Sequence, residues 1–333
     1  MLLSRVAETL YWTARYVERA ENTARIIMVN ANLLLDLPKG ISPGWEPILK
    51  ITGSSGQFLE SHTEITERNV VKFLISDRKN PSSIYSSLSI ARENLRTARA
   101  IFPQGAWEIL NDLYYFVDEK KTQGWSQKGR YEYLKTIIRN CQMINGNMSG
   151  SMCRDQTYDF LRIGRNIERA DMTTRVLEVR AGNLLPNQAE ELKPFDDIQW
   201  KSVLETLAAY QMYRRHVHVR VKGSAVLDYL VKDKLFPRSV SFCIGEVENC
   251  LHNLSGNDAA LRIIGRINRL AGGIDVNNHF QEKLFNFTNE MQIVLGQLHD
   301  QISSSYFQVR KHKNDSADVV HQDSNAKVDE AAA

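Results

Sequence analysis

A charged segment near the start of the chain recurs far along it, and no other feature restricts the fold as much. The first copy reads Arg15-Tyr16-Val17-Glu18-Arg19-Ala20-Glu21-Asn22-Thr23-Ala24-Arg25-Ile26-Ile27. The second reads Arg165-Asn166-Ile167-Glu168-Arg169-Ala170-Asp171-Met172-Thr173-Thr174-Arg175-Val176-Leu177. In register, the first Arg, the Glu-Arg-Ala run, the following acid, a Thr and the last Arg coincide. Apolar residues meet apolar ones at Val17/Ile167, Ile26/Val176 and Ile27/Leu177. One constant offset of 150 residues over so many positions points to an internal pseudo-repeat of a long-helix unit.

Both copies sit in helical pattern. Ser4 to Leu37 has no Gly or Pro, places Val6, Leu10, Ala14, Val17, Ala24, Ile27 and Leu34 at helical spacing, and meets a stop at Pro38-Lys39-Gly40. Asp155 to Ala181 reads the same way, so the repeat units lie near 4–37 and 155–181. Helices are further expected over 82–101, 106–121, 131–144, 201–221, 239–254 and 280–309, with a turn at Asn145 to Gly150. Val70-Val71-Lys72-Phe73-Leu74-Ile75 could pass for a strand, but helix is preferred over 65–76. The expectation is an all-α helical bundle over residues 1–310, followed by a disordered tail at 311–333 that is too polar to offset its ordering entropy.

On a helix, Arg15, Glu18, Asn22 and Arg25 line one face with Arg19 beside them; Arg165, Glu168 and Arg175 form the matching stripe with Arg169 alongside. Ala14, Ala20, Ala24, Gly164 and Ala170 are small neighbours that let another helix come close, pushing the charges into a partly desolvated seam. Each glutamate then meets several guanidinium forks, which suits bidentate pairing. Two uses compete: a brace that fixes the register of the two helices, or a pocket for a carboxylate or phosphate. Arg154, Asp155 and Arg162, just upstream, could serve either.

Composition excludes more than it proposes. Hydrophobic residues are 43%, charged residues 24%, and the net charge is +3, too small to announce a nucleic-acid or membrane-surface protein. No apolar run reaches the length of a membrane span, and the opening residues carry no signal-peptide core. Cys141, Cys153, Cys243 and Cys250 form no CxxC pair and no zinc spacing, so reduced thiols and a cytoplasmic location are expected, with no metal and no cofactor. No Glu has a His three residues on, Asp196-Asp197 is followed by no third Asp, and there is no phosphate-binding Gly loop. The basic run Tyr213 to Lys222 reads as a solvated helix end.

The paired Glu-Arg motifs resemble the alpha-E domain family, all-helical proteins named for that motif. Leu3-Ser4-Arg5-Val6-Ala7-Glu8-Thr9-Leu10-Tyr11-Trp12 with Tyr16 to Arg25 is similar to its N-terminal signature, and Gly150 through Arg175 to its central one. Leu235-Phe236-Pro237-Arg238-Ser239-Val240 and Leu298-His299-Asp300 with Tyr306-Phe307 match later positions. The resemblance implies the company of circularly permuted ATP-grasp ligases and transglutaminase-like or other peptidase proteins. It implies an auxiliary or scaffold subunit of a peptide-ligation or peptide-processing system, without catalysis of its own. The competing expectation is an amide-bond-handling enzyme, or a binder of an anionic peptide or nucleotide, that uses the Glu-Arg face.

Overall fold

Stretches poor in glycine and proline form the longest helices. The computed structural model describes residues 4–37, 44–182, 195–217, 220–274 and 280–308, and these hold fifteen helices and no strand. The expected stop at Pro38-Lys39-Gly40, the break through 183–194 and the tail 311–333 lie outside the described residues. The first eight helices are α1 (Ser4–Asp36), α2 (Glu46–Ile51), α3 (Ser55–Ser61), α4 (Glu67–Ser76), α5 (Ile84–Thr97), α6 (Gln104–Glu119), α7 (Lys121–Trp125) and α8 (Gln127–Ser151). The remaining seven are α9 (Gln156–Gly182), α10 (Asp196–Thr206), α11 (Tyr210–Val217), α12 (Gly223–Lys232), α13 (Val240–His252), α14 (Asp258–Gly273) and α15 (Phe280–Tyr306).

Two expectations fail for physical reasons. The turn expected at Asn145 to Gly150 is helix, because Cys141, Ile144 and Met148 continue a buried stripe whose burial outweighs the roughly 1 kcal/mol that each glycine costs. The single helix expected over 201–221 is two, parted at Ala208, whose φ of 53° is left-handed. No Gly or Pro marks that break. The segment at 65–76 is helical, entered through Thr66, whose hydroxyl accepts from the Asn69 N–H. The helices over 46–51, 55–61, 121–125, 223–232 and 258–273 were not anticipated.

The two motif helices organise the rest. α1 packs on α5 and α8, with α6 bridging those two; α9 packs on α13 and α15, with α14 bridging them. α1 and α9 pack directly on each other, and the short helices change sides: α2 lies on α9, and α10 lies on α1. Local details agree between the halves. Trp45 and Trp200 precede the buried pairs Ile48-Leu49 and Val203-Leu204. Gly53 and Ala208 both take positive φ after them. Ser83 caps α5 and Ser239 caps α13, each hydroxyl accepting from the N–H three residues on. One continuous apolar core links both groups of helices.

Candidate functional site

Because partners keep nearly the repeat offset, α1 and α9 must run side by side in the same direction: Arg15 meets Glu168 at a separation of 153 residues and Arg19 meets it at 149. Close approach is possible because Gly164 faces the Tyr11 carbonyl, where an added Cβ would lie 2.2 Å from that oxygen. The motif face is thereby turned inward, with Glu18 fully buried and Glu168 2% exposed.

Glu168 is gripped by a fork on each oxygen. Arg15 Nε donates to Oε2 at 2.7 Å, Arg19 Nε donates to Oε1 at 2.7 Å, and Arg19 Nη2 adds a bond to Oε2 at 3.0 Å. Burial alone would raise this carboxyl, but Arg19 and Arg15 outweigh it and hold it at about 2. Arg15 also donates to the Tyr11 hydroxyl at 3.2 Å, and that hydroxyl lies 2.8 Å from His299 Nδ1 on α15. Tyr11 thus accepts from Arg15 and shares a second hydrogen bond with the imidazole; burial and then Arg15 push His299 down from its ordinary value.

Glu18 receives the reciprocal contact from α9. Arg169 Nε lies 3.0 Å and Arg238 Nη1 2.6 Å from its Oε1. Here too burial would raise the carboxyl, and Arg169, Arg238 and Arg165 bring it down to about 2. Arg238 is the residue that motif spacing did not disclose. It precedes the α13 cap, donates from Nη1 to Asn22 Oδ1 at 2.8 Å and from Nη2 to Glu21 Oε1 at 2.9 Å. Its carbonyl accepts from the Thr173 hydroxyl at 2.8 Å. Glu21 also takes Arg25 Nη2 at 2.6 Å and Gln142 Nε2 at 3.3 Å.

The expected site residues therefore divide. Arg15, Glu18, Arg19, Asn22, Arg25, Glu168 and Arg169 belong to one buried network. Arg175 does not join it: its Nε donates to Asp171, one turn back, at 2.8 Å. Among the described residues Arg165 makes no carboxylate pair, and its Nε finds no acceptor; burial and the neighbouring Arg169 pull it below the ordinary arginine value. Of the upstream residues, Arg162 turns to Asp159 and Glu246, Arg154 covers the Tyr158 ring at 4.1 Å, and Asp155 accepts from the backbone N–H groups of Thr157 and Tyr158.

Nucleophile chemistry finds little support here. Cys141 and Cys243 flank the network, but burial pushes both thiols up, Cys243 to about 12, and the same holds for Cys250. A thiol so placed is poorly ionised near neutrality. Among the described residues no group of three or more His, Cys, Asp or Glu could hold a metal ion, and no helix is long and apolar enough to cross a membrane. Arg214, Arg215 and His216 occupy the last turn of α11.

No solved structure matches this chain. Among curated proteins it is similar to the uncharacterized protein Mb2597 of Mycobacterium bovis and to the uncharacterized proteins MT2643 and Rv2567 of Mycobacterium tuberculosis. Each is 22% identical over 283 residues, covering 78% of this chain and 30% of the relative. The chain thus spans less than a third of the length of the curated relatives it matches. A family model described as a predicted alpha-helical domain with a conserved ER motif matches residues 2–307, across both Glu-Arg segments, and the chain belongs to that family, Alpha-E.

Proposed function

We propose that this chain is a non-catalytic helical subunit that works beside ATP-grasp and transglutaminase-like proteins in cytoplasmic peptide ligation or processing, with its Glu-Arg network as an internal brace. The observation that carries this reading is the reciprocal seam: Arg15 and Arg19 reach from α1 to Glu168, and Arg169 reaches from α9 to Glu18, all inside the protein. Such a seam sets register and leaves the outer helices free for partners. The length of the relatives supports it as well, since there the matching segment is part of a much longer chain. The named partners come from the family resemblance. The test is to assay the purified chain alone and then with an ATP-grasp ligase of the same organism. The expected result is no ATP turnover alone and altered ligase turnover in the mixture; turnover by the chain alone, or an unaltered ligase, overturns the proposal.

One observation favours a second reading. Five guanidiniums (Arg15, Arg19, Arg25, Arg169 and Arg238) share three carboxylates, Glu18, Glu21 and Glu168, and a sixth, Arg165, is largely buried beside them with no acceptor for its Nε. A partly buried cationic surplus suits a carboxylate or phosphate ligand. Glu18→Gln and Glu168→Gln separate the readings. A large loss of stability marks the brace, whereas an unchanged melting temperature with lost partner-dependent activity marks a binding site.

A further inference from the structure

Helices α4 and α12 hold equivalent places, each after a short helix pair and each packed on the capped helix that follows it, α5 or α13. Their buried residues match one for one: Val70, Val71, Phe73, Leu74 and Ile75 on α4, and Val226, Leu227, Tyr229, Leu230 and Val231 on α12. The connections that follow also agree, from Asp77 to Pro81 and Ser83 in one half and from Asp233 to Pro237 and Ser239 in the other. The surface residues differ. Arg68 and Lys72 stand where α12 carries Ser224 and Asp228. This fold therefore accepts a hydroxyl and an acid at those two positions, and packing does not require cations there.

In the first half these cations line a groove of about 570 Å³, within the size range of small-molecule sites. Arg68, Lys72 and Arg78 border it from α4 and the turn after it, Lys121 and Trp125 from α7, and His62 from the end of α3. Trp125 is fixed by its Nε1–H, which donates to Ser76 Oγ at 3.0 Å, and Lys72 Nζ lies 5.2 Å from the indole centroid. Lys121 and Arg78 share one carboxylate, Asp118, at 2.9 and 3.8 Å. The lining acid, Asp77, accepts from the Lys79 backbone N–H. Among the described residues, neither Arg68 nor Lys72 has a carboxylate within ion-pair distance, whereas Arg78 and Lys121 do. Guanidinium and ammonium groups that line one groove reinforce each other's potential toward an anion.

We propose that this groove binds a multivalent oxyanion, a ligand with two or more phosphate or carboxylate groups that bridges the Arg68–Lys72 edge and the Arg78–Lys121 edge across Trp125. The site is separate from the Glu-Arg seam and does not depend on the brace reading. Titration calorimetry on the full chain, with inorganic pyrophosphate and separately with citrate, tests it. The double variant Arg68→Ser, Lys72→Asp, which copies the second half, is the comparison. Binding of either probe, weakened about tenfold or more in the double variant and further weakened by added salt, is the expected result. Pyrophosphate alone assigns phosphate, citrate alone assigns carboxylate, and both together assign charge as the sole criterion. The exposed variant should melt with the wild type, so lost binding is not lost folding. Absence of binding by both probes, or equal binding by the variant, overturns the proposal.

Discussion

Arg169 stands toward Glu18 as Arg19 stands toward Glu168, each reaching from one motif helix to the glutamate of the other. The glutamates are therefore buried and ionised at neutral pH: both are held near 2 by the cations around them. Removing a partner from such a pair leaves buried charge without compensation.

Glu168→Gln should accordingly destabilise the chain by about 3–5 kcal/mol, since Arg15 and Arg19 lose the charge that compensates them. Denaturant unfolding measures this. Glu93→Gln, which breaks the exposed pair with Arg96, should leave the transition where it was.

Gly164→Ala tests the helix crossing. The new Cβ would collide with the Tyr11 carbonyl, a backbone atom that moves only with its helix, so a loss of about 1–3 kcal/mol or more is expected. A variant as stable as the wild type would mean that α1 and α9 do not cross where Gly164 lies.

Ala208→Gly should do the opposite. Ala208 is exposed and left-handed, a conformation costing a residue with a Cβ about 1–2 kcal/mol, and the first half already uses Gly53 there. A rise in melting temperature is the expected outcome.

Acid should weaken the seam in a defined window. A carboxyl held at about 2 in the folded chain and near 4.5 when unperturbed contributes stability that is complete above the higher value. That contribution is lost as the pH falls through the lower one. His299 acts in the same direction at higher pH: its value is lowered on folding, so below about 6.5 the unfolded chain takes the proton first and stability drops. Unfolding measured at a series of pH values should show a shallow decline below about 6.5 and a steep one below about 4.5, with His299→Gln removing only the first.

The long helices and the inward-facing glutamates were legible because both rest on local pattern: spacing decides which residues share a helix face, and small neighbours mark a close contact. Arg238 was not, because its partners Glu18, Glu21 and Asn22 are brought to it by tertiary packing. A comparison of Pro81-Ser82-Ser83 with Pro237-Arg238-Ser239 would have set it beside a serine in the other half. The break at Ala208 was hidden for a different reason, since alanine is the strongest helix former and gives no sign of a left-handed turn. The turn expected around Gly146 and Gly150 failed because glycine there meets open space on a helix whose other face is buried. Arg175 shares the helical stripe of Glu168 yet bonds within its own helix, because Asp171 is one turn away.

The crossing of α2 onto α9 and of α10 onto α1 means that each half lends a helix to its neighbour. A nick in the connection at 152–155 would separate two fragments, each with an apolar surface that only the other can cover. Neither piece is self-sufficient, so the entwined halves should melt together, and severed fragments should recombine as an obligate pair.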